Sequence, residues 1–98
     1  MTRLQLAPKL ALDVARIAEH MLAHEVPDIE ARLDQIIDAL NIPAQYPRIG
    51  RPAPQGRREL VIGRDARGYV ARYRYDELDD LVVVVALRSQ REAGFVDR

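Results

Sequence analysis

Ninety-eight residues, 48% of them hydrophobic, are expected to fold as a single domain spanning residues 1–98 around one modest core. The formal charge is zero, 15 basic against 15 acidic, but residues 48–98 hold 11 basic and 8 acidic residues while residues 1–47 hold 4 and 7. With no cysteine the chain has no disulfide framework and no thiolate metal site, and its longest apolar run, LVVVVAL, is far short of the about 20 residues that span a bilayer.

Taken in order, RLQL (residues 3–6) reads as a first strand. Pro8 suits a helix's first turn, and Leu10, Val14, Ile17 and Met21 follow at spacings of four, three and four, one apolar helical stripe. Asp13, Arg16, Glu19 and His20 fall mostly off that stripe. Pro27 restarts the pattern with acidic Asp28 and Glu30 near the positive end of the helix dipole. Ile29, Leu33, Ile36, Ile37 and Leu40 form a second stripe that should stop near Asn41, before Pro43. Two helices so closely joined predict an antiparallel hairpin.

Residues 42–56 hold four of the six prolines and predict a stiff, irregular connection. RRELVIG then reads as a strand, RDARG as a turn, YVARYRY as a second strand and DELDD as another turn. In YVARYRY the alternation puts Tyr69, Ala71, Tyr73 and Tyr75 on one face and Val70, Arg72 and Arg74 on the other. LVVVVALR is apolar on both faces, which predicts a central strand. The expected fold is α+β: an N-terminal strand, an antiparallel helical hairpin, then a three-stranded antiparallel meander, with the hairpin covering one sheet face.

The chemistry is narrow. His20 and His24 have the spacing of a zinc-binding helix, but HMLAH lacks the glutamate of the HExxH motif and has no evident third ligand, so no metal is expected. Ser89 is the sole serine, and no histidine follows residue 24. The carboxylates of DELDD are neighbours in one turn, and GRPAPQG lacks the spacing of a phosphate-binding loop. No cofactor is implied. What stands out is arginine: 14 of the 15 basic residues, with eight basic and two acidic between Arg48 and Arg74. Its planar fork suits paired bonds to carboxylate or phosphate. Arg57, Arg58, Arg72, Arg74, Arg88 and Arg91 should lie on or beside three adjacent strands. Parity joins Arg72 with Arg74 and points Arg57 and Arg58 opposite ways.

APKLALDVARI opening the first helix, YPRIGRP after the second, RREL, GYVARYRY and the final VVVVALRSQREAGF together resemble the RelE/ParE superfamily of bacterial toxins, the ParE branch more closely. The resemblance covers nearly the whole chain. It implies a small sheet packed on a helical hairpin. For the ParE branch it implies a cytoplasmic inhibitor of DNA gyrase with no recognised active site, neutralised by a ParD-like antitoxin whose flexible, acidic tail folds on docking. It implies no sequence-specific DNA binding by this chain itself. RelE-like members are instead ribosome-dependent mRNA nucleases, and a non-toxic interaction domain is the third reading. RelE-like toxins commonly carry an arginine where this chain has Val70, a basic residue or histidine near Arg88-Ser89, and a tail tyrosine where it has Phe95. Of the paired basic residues of their second strand, Arg58 remains and its companion is Leu60. The nuclease equipment is largely missing. Arg57, Arg58, Arg72, Arg74, Arg88, Arg91 and Phe95 are the expected antitoxin- or target-binding residues, with no catalytic residue among them.

Overall fold

The computed structural model describes residues 2–63, 68–92 and 94–95. Strand β1 (Arg3–Leu6) leads into helix α1 (Lys9–Ala23), and helix α2 (Ile29–Ala39) returns beside it. A short helix α3 (Ile42–Gln45), strand β2 (Arg51–Ala53) and a 3-10 turn (Pro54–Gly56) precede strands β3 (Arg57–Ile62), β4 (Tyr69–Asp76) and β5 (Leu81–Ser89). This is the α+β arrangement that the sequence predicts, with two additions inside the proline-rich connection, α3 and β2. The RDARG turn lies, except for Gly68, outside the described residues.

Helix α1 forms because its stripe has somewhere to go: Leu10, Ile17 and Met21 are all buried. It stops where Glu25 and Asp28 adopt left-handed backbone, with φ of 52° and 55°, on either side of Pro27. In α2 and its cap, Ile36 and Leu40 reach the core, and Ile29 and Leu33 pack at its margin. Ile37 departs from the expected stripe: it is 44% exposed and lines an outward groove with Leu6, Ala11, Val14 and Ala18.

The five strands form one sheet in the order β1-β5-β4-β3-β2. All pairings are antiparallel except β1 with β5, which is parallel and joins Arg3–Leu6 to Leu81–Val84. Strand β5 is therefore interior, between β1 and β4, and β4 is the middle strand. Val82, Val84 and Leu87 face the helices, while Val83 and Ala86 fill the opposite face. A bulge changes the register between Arg72 and Tyr73: Arg72 pairs with Ala86 and Tyr73 with Val84, which leaves Val85 as the extra residue. Burying each of these large apolar side chains contributes about 1.5–3 kcal/mol.

Asp13 corrects the sequence reading most sharply. It was expected off the buried stripe, yet it is 1% exposed. Beyond Val84, β1 no longer pairs with β5, and α1 passes alongside. There the Asp13 carboxylate accepts the Leu87 N–H at 3.0 Å, and the Arg16 guanidinium donates to the Leu87 carbonyl at 3.2 Å. The two side chains supply the acceptor and donor that a further strand residue would have offered. Asp13 also accepts from Arg16 at 2.7 Å and from Lys9 at 3.0 Å. Burial pushes its pKa up, but the Leu87, Arg16 and Lys9 bonds outweigh this, and the net shift is downward.

A second buried anchor holds the proline-rich segment. Tyr73 is fully buried, and its hydroxyl donates to the Pro47 carbonyl and accepts from the Gly50 N–H, both at 2.8 Å. A β-carbon at Gly50 would come within 2.8 Å of the Tyr73 ring and hydroxyl, so only glycine fits.

Candidate functional site: an arginine groove

The helices cover one face of the sheet. On the other, strand alternation brings charge together. Arg57 stands opposite Arg74, Glu59 opposite Arg72, and Arg88 opposite Val70 across the strand. Arg57, Glu59, Arg72 and Arg88, with Gln55, Gly94 and Phe95, line an open groove of about 540 Å³. Gln55, at its lip, adopts left-handed backbone (φ 66°) ahead of Gly56 (φ 70°), and this tight turn delivers β3 to the groove.

Within the groove the charges are arranged unequally. Glu59 accepts from Arg72 Nε at 3.3 Å and Nη2 at 2.8 Å, and from Arg51 at 3.3 Å. The Arg72 hydrogen bond is the chief reason its pKa lies below the usual carboxylate value; burial opposes the shift, and Arg51 adds to it. Arg88 donates to the Ser89 carbonyl at 3.1 Å and the Glu92 carbonyl at 3.3 Å, and its buried Nε has no hydrogen-bond partner among the described residues. Arg57 and Arg74 make no ion pair among the described residues, although like charges directly opposite disfavour the sheet. The Phe95 ring meets two cations, with the Arg72 guanidinium 4.1 Å and that of Arg88 5.1 Å from its centre.

Of the seven residues singled out in the sequence, Arg57, Arg72, Arg88 and Phe95 converge on the groove, and Arg74 extends it along the sheet. Arg58 does not join them. It points to the other face and donates to the Gly50 carbonyl at 2.8 Å and the Arg48 carbonyl at 3.3 Å, holding the connecting segment in place. Arg91 is also elsewhere, in a hollow with His20, His24, Tyr69 and Ser89. Glu59, read from the sequence only as part of the RRELVIG strand, had been given no role in the site. Its position two residues from Arg57 in a strand was the available signal.

The two histidines stack with ring centres 4.1 Å apart, and His24 Nδ1 lies 2.9 Å from the His20 carbonyl oxygen. Among the described residues no three His, Cys, Asp or Glu side chains come together to hold a metal. No described helix is long and apolar enough to cross a membrane.

The groove is cationic, and among the described residues the side chains that could transfer protons are committed or lie on the sheet's other face. Glu59 is held ionised between arginines, Phe95 has no hydroxyl, the Tyr73 hydroxyl is buried under the proline-rich segment, and that of Tyr75 donates to Asp80 at 2.9 Å. Chemically, guanidinium groups so placed can pair with anions.

A mixed five-stranded sheet, a helical hairpin on one face and a cationic groove on the other make the small α+β domain that the RelE/ParE resemblance implies. The family model described as "ParE toxin of type II toxin-antitoxin system, parDE" matches residues 4–94. The chain belongs to this ParE toxin family. It is also similar to the protein named Toxin RelE3 of Caulobacter vibrioides, with 28% identity over 92 residues covering 94% of this chain and 98% of that protein.

Proposed function

We propose that this protein is a gyrase-directed toxin of the ParE kind, held inactive by a cognate ParD-like antitoxin and acting in the cytoplasm. Family membership supports the toxin–antitoxin pairing. The observation that supports the finer reading is the groove itself, which gathers guanidinium groups without a free general acid or base beside them among the described residues. An RNA-cleaving site must activate a 2′-hydroxyl and protonate a leaving oxygen. A protein that inhibits by binding needs only complementary charge and shape.

The same face serves the antitoxin in this reading. Arg57, Arg72, Arg74 and Arg88 offer carboxylate forks to an acidic segment that orders as it docks.

The test is pulse labelling after induction in bacteria without the antitoxin. A fall in thymidine incorporation before methionine incorporation, followed by inhibition of supercoiling by purified gyrase, supports the proposal. An earlier collapse of methionine incorporation overturns it in favour of mRNA cleavage. Soluble accumulation with neither effect makes the chain an interaction domain.

A further inference from the structure

The arginine groove is partly filled by the chain's own tail. The segment after β5 is fixed as far as Glu92. Its carboxylate accepts from Arg16 at 3.1 Å and 3.2 Å, its carbonyl accepts from Arg88, and its N–H donates to the Ser89 carbonyl at 3.2 Å. Gln90 N–H donates to the Gly68 carbonyl at 2.9 Å. Beyond Glu92 the polar and cation–π contacts of the tail, among the described residues, are the two arginine stacks of Phe95. Phe95 is only partly buried, and among the described residues no hydrogen bond holds it.

We infer that Phe95 is a displaceable plug: it occupies the Arg72–Arg88 end of the groove in the free protein, and an acidic peptide must expel it to bind there. The inference rests on the reading of the groove as the antitoxin-docking face and names how that face is regulated. The physical basis is a difference in bond strength. A ring over a guanidinium at a partly exposed site is a weak contact, whereas a carboxylate on an arginine fork makes two charge-assisted hydrogen bonds. Arg57 and Arg74, carrying no ion pair among the described residues, offer the first contact. As the ring leaves, Arg88 and the guanidinium edge of Arg72 that Glu59 does not hold become available. Arg16 and Glu92 hold the tail's base, so displacement is confined to its end. An aromatic plug without an acceptor shields the arginines from casual anions while leaving them competent for a multivalent one.

The plug has opposite consequences from a docking contact. If Phe95 were part of the binding surface, its removal would weaken binding. As a plug, its removal strengthens binding. The experiment uses the full chain, a synthetic peptide alternating glutamate and leucine, and a single-stranded RNA of equal charge. Phe95→Ala should bind the peptide about fivefold more tightly than the unaltered protein, the scale of one lost cation–π competitor. In the unaltered protein, NMR contacts between the Phe95 ring and the Arg72 and Arg88 side chains should vanish as peptide is added. Unchanged or weakened binding by Phe95→Ala overturns the plug, as does persistence of those contacts in the peptide-bound state. Peptide binding with the contacts retained leaves the docking reading intact while removing the plug. Binding of the RNA but not of the peptide overturns the choice of an acidic peptide. Gyrase inhibition is measured separately and is not needed for any of these outcomes.

Discussion

The Asp13 carboxylate accepts the main-chain N–H of Leu87 at 3.0 Å, across 74 residues of sequence. This one bond lets a helix side chain complete the edge of a strand where β1 has run out. Asp13→Ala therefore leaves a buried amide without a partner and removes the Asp13 bonds to Arg16 and Lys9. The expected cost is about 2–4 kcal/mol in denaturant unfolding.

The same carboxylate sets an acid limit. Its pKa in the folded chain lies below the usual aspartate value. A group depressed on folding contributes stability that is present above its unfolded pKa and is lost as pH falls through the folded value. Unfolding free energy should decline as pH falls below about 4. Asp13→Asn, less stable at neutral pH, should show a shallower decline over that window. Equal slopes in both proteins would mean that other carboxylates control acid unfolding.

Tyr73 and Gly50 should behave as one unit. Tyr73→Phe strands a buried Gly50 N–H and the Pro47 carbonyl, at about 1–3 kcal/mol. Gly50→Ala drives a β-carbon against the Tyr73 ring and should cost at least as much. The double variant should cost less than the sum, because the two changes disrupt one contact. Additive losses, measured by urea unfolding, would show that the contact is not shared.

Arg57 and Arg74 separate stability from binding. Arg57→Glu turns a like-charged cross-strand pair into an opposite one, worth about 0.2–1 kcal/mol of added stability. It should nevertheless weaken antitoxin binding. Replacing both Arg72 and Arg74 by glutamate should abolish it. A change within about threefold, roughly 0.65 kcal/mol, in calorimetric titration would remove the arginine face from the interface.

Glu59→Gln tests the balance of charge in the groove. The folded pKa of Glu59 is depressed, chiefly by Arg72, so its ion-pair contribution is present above its unfolded value and lost in acid. Neutralising it frees Arg72 and should raise affinity for an acidic peptide about fivefold at low salt, an effect that shrinks as salt rises. Weaker binding would mean that Glu59 holds Arg72 in its useful orientation.

The order of the main elements was legible because hydrophobic period and turn residues are local signals. Leu10, Ile17 and Met21 announce one buried helix face, and the alternation of YVARYRY separates Tyr73 from Arg72 before any contact is known. The short β2 was not legible: Pro52 argues against a strand, and the segment is extended because β3 pairs with it. Asp13 was misplaced for a related reason. Periodicity registers whether a residue is apolar, and its burial depends on an amide 74 positions away. In the site, parity joined Arg72 with Arg74, but which of Arg57 and Arg58 shares their face is set by the register of β3 on β4, and the departure of Arg91 and the return of Phe95 depend on a tail path that no repeating pattern describes.

The parallel pairing of β1 with β5 has a consequence for synthesis. β5 is the last of the five strands, and β1, α1 and β4 all lean on it. A ribosome that stalls before Leu81 leaves a chain whose first strand has no neighbour and whose helices have half a floor. Closing that long-range pair makes folding slow relative to a helical bundle. A chain interrupted there would therefore be a substrate for proteases before it could present the groove, because Arg88 and the Phe95 that lies over it come last.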